Sequence, residues 1–288
     1  MSRRLLSALA AAAFTATAAP AGAACPSDAD ITRLAEAMTA GQLIAPFQEL
    51  SLADAECARE KLVPHLTRHW GPVVGYKAGL TSAAAQRSFG LSEPVHGSMF
   101  AMTLSVQDGA EVPARFGAEA SVRVEPDLVV RVRDEGINTA GKDRVAILRH
   151  IDQVIPFIEL PVAAFRGNVD GLNLVAANVN ARLGVVGRPF VLEANEDSVR
   201  RLGEMTVTFT EDSRELTRAP GSALLGHPLD VIPWLVEDLV KNGRRLRAGD
   251  MISLGGFAPS APTHPGRTYT LRYEGLLQEP ISVALKIR

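Results

Sequence analysis

The segment VRVEPDLVV, residues 122–130, places two carboxylates on either side of a proline in an otherwise apolar run. Successive side chains of a strand point to opposite faces, so Glu125 and Asp127 project from the same face. Two carboxylates held side by side repel each other unless a cation lies between them. The spacing therefore leaves two interpretations open: a divalent-metal site, or an edge strand with one solvated face, since proline cannot donate to a sheet ladder.

The elements that would position these carboxylates are many short strands and few helices. From Pro72 onward, Gly and Pro turns separate short apolar segments, and helical patterns do not alternate regularly with them. This arrangement predicts an α+β fold with a predominantly β core, and the chain lacks the glycine-rich signatures of nucleotide-binding folds. Two helices are predicted before this region, over residues 28–40 and 51–66, from capping residues followed by apolar positions at helical spacing.

The N-terminal segment has the features of a secretory signal peptide. Arg3 and Arg4 precede an apolar stretch that begins at Leu5, and the small residues 21–23 are typical of a cleavage site. We therefore expect residues 1–23 to be removed and the mature protein to be periplasmic or secreted. No later segment has the roughly 18 uninterrupted apolar residues that a membrane span requires.

The charge balance excludes one class of partner. Two of the 30 Lys and Arg residues, Arg3 and Arg4, fall in the expected signal peptide, which leaves 28 basic against 32 acidic residues. The mature chain is mildly acidic and has no basic run, so the composition gives no support for a nucleic-acid-binding protein.

The chain has two cysteines, Cys25 and Cys57, and both follow the expected cleavage point. In an oxidising compartment an even pair predicts a disulfide, which would tie the two N-terminal helices together. Lipidation of Cys25 is the alternative, although Gly22 makes a poor lipidation signal. Lipidation would leave Cys57 unpaired.

Three segments, in this order and spacing, resemble the 2-oxo-4-pentenoate hydratase and 4-oxalocrotonate decarboxylase family of the fumarylacetoacetate hydrolase superfamily. GYKAGLT is similar to the family's glycine–aromatic–lysine signature, VRVEPDLVV to its Glu-x-Glu strand, and VIPFIEL to its proline-x-x-glutamate strand. The segment from GHPLDV to ISLGG resembles the family's C-terminal helix and strand. The resemblance implies a mixed β-roll or sandwich, with a catalytic domain over residues 72–288 and a small helical lobe over residues 24–71.

The resemblance also implies the site residues. Glu125, Asp127 and Glu159 are expected to bind Mg²⁺ or Mn²⁺ and to leave open positions for a 2-oxo acid, because hard oxygen ligands suit hard cations. Asp127 is shorter than the family's usual glutamate but keeps its charge. Lys77 is expected to position a substrate carboxylate or to take part in proton transfer.

The chain departs from the family at several polar positions. Val95 stands where family members carry an acidic residue, and the adjacent His96 is a candidate to replace that residue as an acid or base near neutral pH. The alternative is that His96 is a half-exposed loop residue. The other family polar positions that are apolar or glycine here are Pro161, Val162, Ala163, Ala177, Leu254 and Gly256.

These observations together predict an exported, metal-dependent lyase that hydrates or decarboxylates a 2-oxo or 2-hydroxy-dienoic acid. The alternatives are a periplasmic protein that binds a 2-oxo acid without turnover, a C–C bond hydrolase of β-diketo acids, and a structural protein whose carboxylates form only a solvated cluster. The resemblance further implies a small-molecule 2-oxo acid as the substrate and a homo-oligomeric assembly.

Overall fold

The computed structural model describes residues 25–288, and the expected signal peptide, residues 1–23, lies outside them. The α-helices of this part of the chain are α1 Asp28–Ala40, α2 Leu52–Trp70, α3 Ala83–Phe89, α4 Arg144–Arg149, α5 Gly171–Ala176, α6 Glu196–Glu204 and α7 Val231–Lys241. None of the helices described is both long and apolar enough to cross a membrane.

The strands in residues 25–288 are β1 Val73–Gly79, β2 Val95–Phe100, β3 Val106–Gln107, β4 Ala110–Val112, β5 Arg115–Phe116, β6 Ala120–Ser121, β7 Arg123–Val132, β8 Ile151–Leu160, β9 Leu183–Val186, β10 Thr206–Glu211, β11 Arg214–Pro220, β12 Met251–Ser253, β13 Ala261–Pro262, β14 Thr268–Glu274 and β15 Ile281–Ile287. The main sheet has the order β2-β1-β12-β7-β8-β9-β3, with β13 also paired to β7. A second sheet has the order β11-β10-β14-β15-β4, and β5 pairs with β6. The expected α+β class with a predominantly β core is confirmed.

The two N-terminal helices begin at side-chain caps. Ser27 accepts a hydrogen bond from the Asp30 amide at the start of α1, and Ser51 and Asp54 form a reciprocal capping box at the start of α2. Helix α1 has the predicted bounds, and α2 begins where predicted but continues to Trp70, four residues beyond the predicted end. Their apolar faces share one buried cluster with β2 and α5, which includes Leu34, Leu66, Phe100 and Leu174.

A disulfide joins Cys25, just before α1, to Cys57 in α2. The predicted disulfide is therefore confirmed in this structure. It uses the Cys25 sulfur atom, which is the atom that lipidation would modify.

Side-chain alternation divides the main sheet into two faces. We call the face that carries Glu125, Asp127 and Glu159 the site face, and the opposite one the core face. Core-face residues such as Leu128 and Ile158 join the main hydrophobic core together with side chains of α6, α7 and the second sheet. The site face has a smaller buried apolar cluster beside the carboxylates, formed by Met99, Val129, Ile155 and Phe157.

Strand β7 lies in the middle of the main sheet. It pairs with β8 from Glu125 to Val132, and with β12 and β13 on its other side. Pro126 is tolerated there because its neighbour on that side is an irregular segment between β12 and β13, in which the Phe257 amide donates to the Pro126 carbonyl. The interpretation of VRVEPDLVV as an edge strand with a wet face is therefore wrong.

Removal of the disulfide tests how far the N-terminal helices depend on it. The bridge spans 32 residues, so the loss of its constraint on the unfolded chain predicts destabilisation by about 3–4 kcal/mol in the Cys25→Ser/Cys57→Ser double variant. Urea unfolding of the oxidised mature protein and of this variant measures the difference. Equal midpoints would contradict a stabilising bridge, and the reduced wild type is the matched control.

Candidate functional site

Strand register brings the three expected metal ligands together on the site face. Glu125 of β7 lies directly opposite Glu159 of β8, and Asp127 is two residues further along β7. Asp127 is fully buried and Glu159 is 2% exposed, whereas Glu125 is half-buried. Directly opposite residues in such a ladder have Cα atoms only about 5 Å apart, so the charges of these carboxylates interact strongly.

Lys77 reaches this cluster from β1. Its Nζ atom donates one hydrogen bond to Glu159 Oε1 and a second, of 3.1 Å, to the carbonyl of Val179. Burial is the largest influence on the pKa of Lys77 and lowers it, but the charges of Glu159 and Glu125 outweigh burial and leave the pKa raised. Lys77 is therefore an ammonium group at neutral pH, and it lies in direct contact with one of the expected ligands.

Hydrogen bonds hold both oxygens of the Asp127 carboxylate. The backbone amides of Leu128 and Gly255 donate to Oδ1 over 2.6 and 3.1 Å, and the Ser253 hydroxyl donates to Oδ2. The hydroxyl of Tyr273, from the second sheet, donates to the Asp127 backbone carbonyl. Hydrogen bonds from the surrounding residues therefore hold the Asp127 side chain in place.

Burial and mutual repulsion raise the pKa values of two of the carboxyl groups. Burial first, and then the charge of Glu159, raise the pKa of Glu125 to about 8. The same two causes raise the pKa of Asp127 to about 7, although hydrogen bonds from Ser253 and Leu128 lower it. One ammonium group cannot balance three carboxylates, so the cluster favours either bound protons or an additional cation.

A left-handed turn positions the carbonyl that accepts from Lys77. Asn178, Val179 and Asn180 each have φ of +53°, an uncommon conformation for residues other than glycine and most unusual for a β-branched residue. The side chain of Asn178 fixes the turn: its Oδ1 accepts from the Ser98 amide over 2.7 Å, and its Nδ2 donates to the Ser98 carbonyl over 2.9 Å. The strained turn therefore contacts β2 through the Asn178 side chain and contacts Lys77 through the Val179 carbonyl.

His96 lies apart from this cluster. It is opposite Ala78 in the β1–β2 ladder and so projects from the core face, whereas Lys77 projects from the site face. Its Nδ1 is 2.5 Å from Asp238 Oδ2 of α7, and burial lowers its pKa despite this contact. The interpretation of His96 as a half-exposed loop residue is wrong, since it is 1% exposed and part of β2.

The carboxylates suit a divalent cation in chemistry and proximity. Within residues 25–288, no three His, Cys, Asp or Glu side chains already converge to hold a metal ion. The contacts explain this, because Lys77 engages Glu159 and hydrogen bonds hold Asp127. Glu159 Oε2, however, is buried and has no hydrogen-bond partner among the residues described. An all-oxygen set with a free buried acceptor suits Mg²⁺ or Mn²⁺.

Comparisons with known proteins support the same fold and relationship. No protein-family model matches the chain. The chain is 32% identical over 250 residues to the 2-keto-4-pentenoate hydratase of Paraburkholderia phymatum. The alignment covers 85% of this chain and 92% of that protein. The 4-oxalocrotonate decarboxylase of Pseudomonas putida G7, complexed with magnesium and adipate, superposes with a TM-score of 0.78 at 26% identity, over 92% of this chain and 100% of that one.

A more distant structure defines the wider class. A putative fumarylacetoacetate hydrolase family protein from Yersinia pestis CO92 has a TM-score of 0.52 at 17% identity over 75% of this chain and 94% of that one, a likeness of fold alone. The fold is that of the fumarylacetoacetate hydrolase superfamily. Within it, the chain belongs to the 2-keto-4-pentenoate hydratase and 4-oxalocrotonate decarboxylase family, and it is an enzyme of the hydro-lyase or carboxy-lyase type.

Several residues that shape the site could not be recognised from the sequence. Ser253 and Tyr273 hold Asp127 from distant parts of the chain, and the Val179 carbonyl acts through a backbone conformation that no side-chain pattern reveals. The one available signal for Ser253 was its position directly before the departure from the family pattern at Leu254 and Gly256, and the structure places it in β12 opposite Lys77.

The raised pKa values predict how metal binding depends on pH. In the metal-free protein, Glu125 and Asp127 bind protons more tightly when folded than when unfolded, so their contribution to stability falls as the pH rises from about 4 to about 8. Mg²⁺ must displace these protons, so the increase in melting temperature that Mg²⁺ produces should be larger at pH 8 than at pH 6. Differential scanning fluorimetry with and without Mg²⁺ measures this increase.

The Glu159→Gln variant is the control for this experiment, because Mg²⁺ should not raise its melting temperature at either pH. An equal increase at pH 6 and pH 8 in the wild type would contradict the linkage between proton release and metal binding.

Proposed function

We propose that this protein is an exported, divalent-metal-dependent lyase that hydrates or decarboxylates a 2-oxo-4-enoic acid or its 2-hydroxy-dienoic form. The observation that carries the proposal is the cluster of Glu125, Asp127 and Glu159, in which the last two are buried and the Lys77 ammonium contacts Glu159. The family relationship supports the same reaction type, because relatives are named 2-keto-4-pentenoate hydratase and 4-oxalocrotonate decarboxylase.

The three carboxylates would hold the metal. When bound, a divalent cation supplies positive charge for the carboxylate and keto oxygens of a 2-oxo acid. Solved structures of the Pseudomonas putida decarboxylase contain magnesium in one case and calcium in another, which supports a divalent ion of this hard, oxygen-binding type here.

Lys77 would act on the substrate as a hydrogen-bond donor and proton carrier. Its ammonium group is buried, and the Val179 carbonyl and Glu159 fix its direction. A charged donor held in a water-poor site stabilises negative charge that develops on a bound oxo acid more strongly than the same group would in water. The buried apolar cluster beside Asp127, which includes Phe157, helps to exclude water from this region.

Hydrolysis of a C–C bond receives less support from the site. That reaction needs a base beside the substrate to activate water. In the described residues, His96 faces the core and not the carboxylates. The buried Ala177, at a family acidic position, supplies no replacement.

Export is part of the proposal. The N-terminal sequence has the pattern of a signal peptide, and the Cys25–Cys57 disulfide fits an oxidising compartment outside the cytoplasm. Localisation of a full-length fusion by cell fractionation tests this part. Recovery in the cytoplasm with both thiols reduced would contradict it.

Turnover of 2-hydroxypenta-2,4-dienoate and of 4-oxalocrotonate tests the activity. With Mg²⁺, the wild-type mature protein should consume at least one of them faster than the buffer. Glu159→Gln and Lys77→Met should each lower kcat by about 100-fold or more, because each removes a group that contacts the reacting acid or its cation. Loss of dienol absorbance and release of CO₂ are the measurements.

Two exposed residues provide matched controls for charge. Glu279→Gln and Lys142→Met change the same side-chain types on the surface and should leave kcat within about twofold of wild type. Activity in Glu159→Gln equal to that of the wild type would contradict the role of the cluster.

A further inference from the structure

The side chain of Asn178 is fully buried, and the reaction proposed above assigns it no role. Asn178 is 0% exposed and lies shortly after the end of α5. Among the residues described, its side chain hydrogen bonds only with the backbone of Ser98 in β2. Both polar atoms of the amide are used, since Oδ1 accepts and Nδ2 donates. An ionised aspartate would lose the donor, and an alanine would lose both hydrogen bonds.

Strand β2 gives this side chain a fixed partner. All six residues of β2 are buried, and the strand pairs with β1 along its length. Two helices hold its second residue, His96. The His96 side chain contacts Asp238 of α7, and its backbone carbonyl accepts a hydrogen bond of 2.9 Å from Nη1 of the buried Arg59 in α2. Ser98 is therefore part of a strand that is held from several sides.

Gly97 brings β2, the left-handed turn and Lys77 close together. It lies directly opposite Lys77 in the β1–β2 ladder. A Cβ atom on Gly97 would lie only 2.5 Å from the carbonyl oxygen of Asn178. The turn therefore packs, backbone against backbone, on the strand that neighbours Lys77.

The turn needs such support because its conformation is strained. Val179 has φ of +53°, which its β-branched side chain disfavours. A strained residue persists only where its surroundings determine its conformation. The two hydrogen bonds between Asn178 and Ser98 fix the start of the turn, and the Val179 carbonyl then lies 3.1 Å from Lys77 Nζ.

The Val179 carbonyl determines the direction of the Lys77 ammonium group. Among the residues described, Nζ has one other acceptor, Glu159 Oε1, which belongs to an expected metal ligand. The carbonyl is neutral and part of the backbone, so the conformation of the turn alone places it. Proton transfer is efficient only when the donor is within reach of the accepting atom and aligned with it.

We infer that Asn178 is a positioning residue: it fixes the turn through Ser98 and so places the Val179 carbonyl that directs Lys77. The inference rests on the proposed function, because Lys77 is taken to carry the proton in that reaction. Asn178 acts through the turn and makes no contact of its own with the reacting acid. Its loss should therefore impair turnover and leave binding at the three carboxylates intact.

Kinetics of the Asn178→Ala variant test the inference. The mature protein is loaded with Mg²⁺, and the substrate is whichever of 2-hydroxypenta-2,4-dienoate and 4-oxalocrotonate the wild type consumes. The variant should lower kcat about tenfold or more, because Lys77 keeps its charge but loses its fixed direction. The dissociation constant of oxalate, measured by calorimetry, should stay within about twofold of the wild-type value, because the carboxylates are unchanged.

Asn180→Ala is the matched control for backbone strain. Asn180 lies in the same turn with the same φ of +53°, and among the residues described only its backbone groups form hydrogen bonds. Both variants place alanine in the left-handed region, so the difference between them reports the hydrogen bonds to Ser98. Asn180→Ala should keep kcat within about threefold of wild type. A loss equal to that in Asn178→Ala would overturn the inference.

A double-mutant cycle shows whether Asn178 acts through Lys77. In the Lys77→Met background, the further change Asn178→Ala should alter kcat by less than about twofold, because the ammonium group that the turn directs is already absent. An undiminished loss in this background would show that Asn178 acts independently of Lys77, which overturns the inference.

The remaining outcomes separate positioning from folding and from the proposed function. If Asn178→Ala does not fold, Asn178→Asp replaces it in the same assays, since aspartate is of similar size and keeps the acceptor for the Ser98 amide. Failure of both variants to fold, or wild-type kcat in the folded variant, would overturn the inference. If the wild type consumes neither acid in the presence of Mg²⁺, the proposed function fails, and the inference fails with it.

Discussion

Repulsion among three carboxylates on one face of a β-sheet is the constraint on which the rest of this site depends. Burial strengthens the repulsion, because little water is present to screen it. The chain offsets only part of it, through the Lys77 ammonium and through donors to Asp127 from Ser253, Leu128 and Gly255. The charge that remains is what a divalent cation would neutralise.

Strand register provides the precision that this arrangement needs. A slip of one residue between β7 and β8 would move Glu125 to the core face and place an apolar residue among the charges. Two glycines allow neighbouring segments to lie close to the site. A Cβ atom on Gly256 would lie 2.1 Å from Glu125 Oε1, and one on Gly97 would lie 2.5 Å from the Asn178 carbonyl. Glycine at these positions lets the segment after β12 and strand β2 approach the site.

The local pattern of the sequence predicted those features that depend on local physics. Alternation placed Glu125 and Asp127 on one face, and capping residues located both N-terminal helices. The resemblance added Glu159 and Lys77, which the structure brings together. Contacts between distant segments could not be predicted from the sequence, because neither the central position of β7 nor the contact between Tyr273 and Asp127 has a local sequence pattern. His96 shows the same limit, since only the pairing of β1 with β2 reveals that it faces away from Lys77.

The central claim is that Glu125, Asp127 and Glu159 bind a divalent cation that in turn holds a 2-oxo acid. Calorimetric titration of oxalate, a chelating mimic of such an acid, into the mature protein tests this claim most directly. The account predicts binding when Mg²⁺ is present, no binding after treatment with a chelator, and no binding in Glu159→Ala under either condition. Oxalate binding that persists without metal, or that is absent from the Mg²⁺-loaded wild type, would contradict the account.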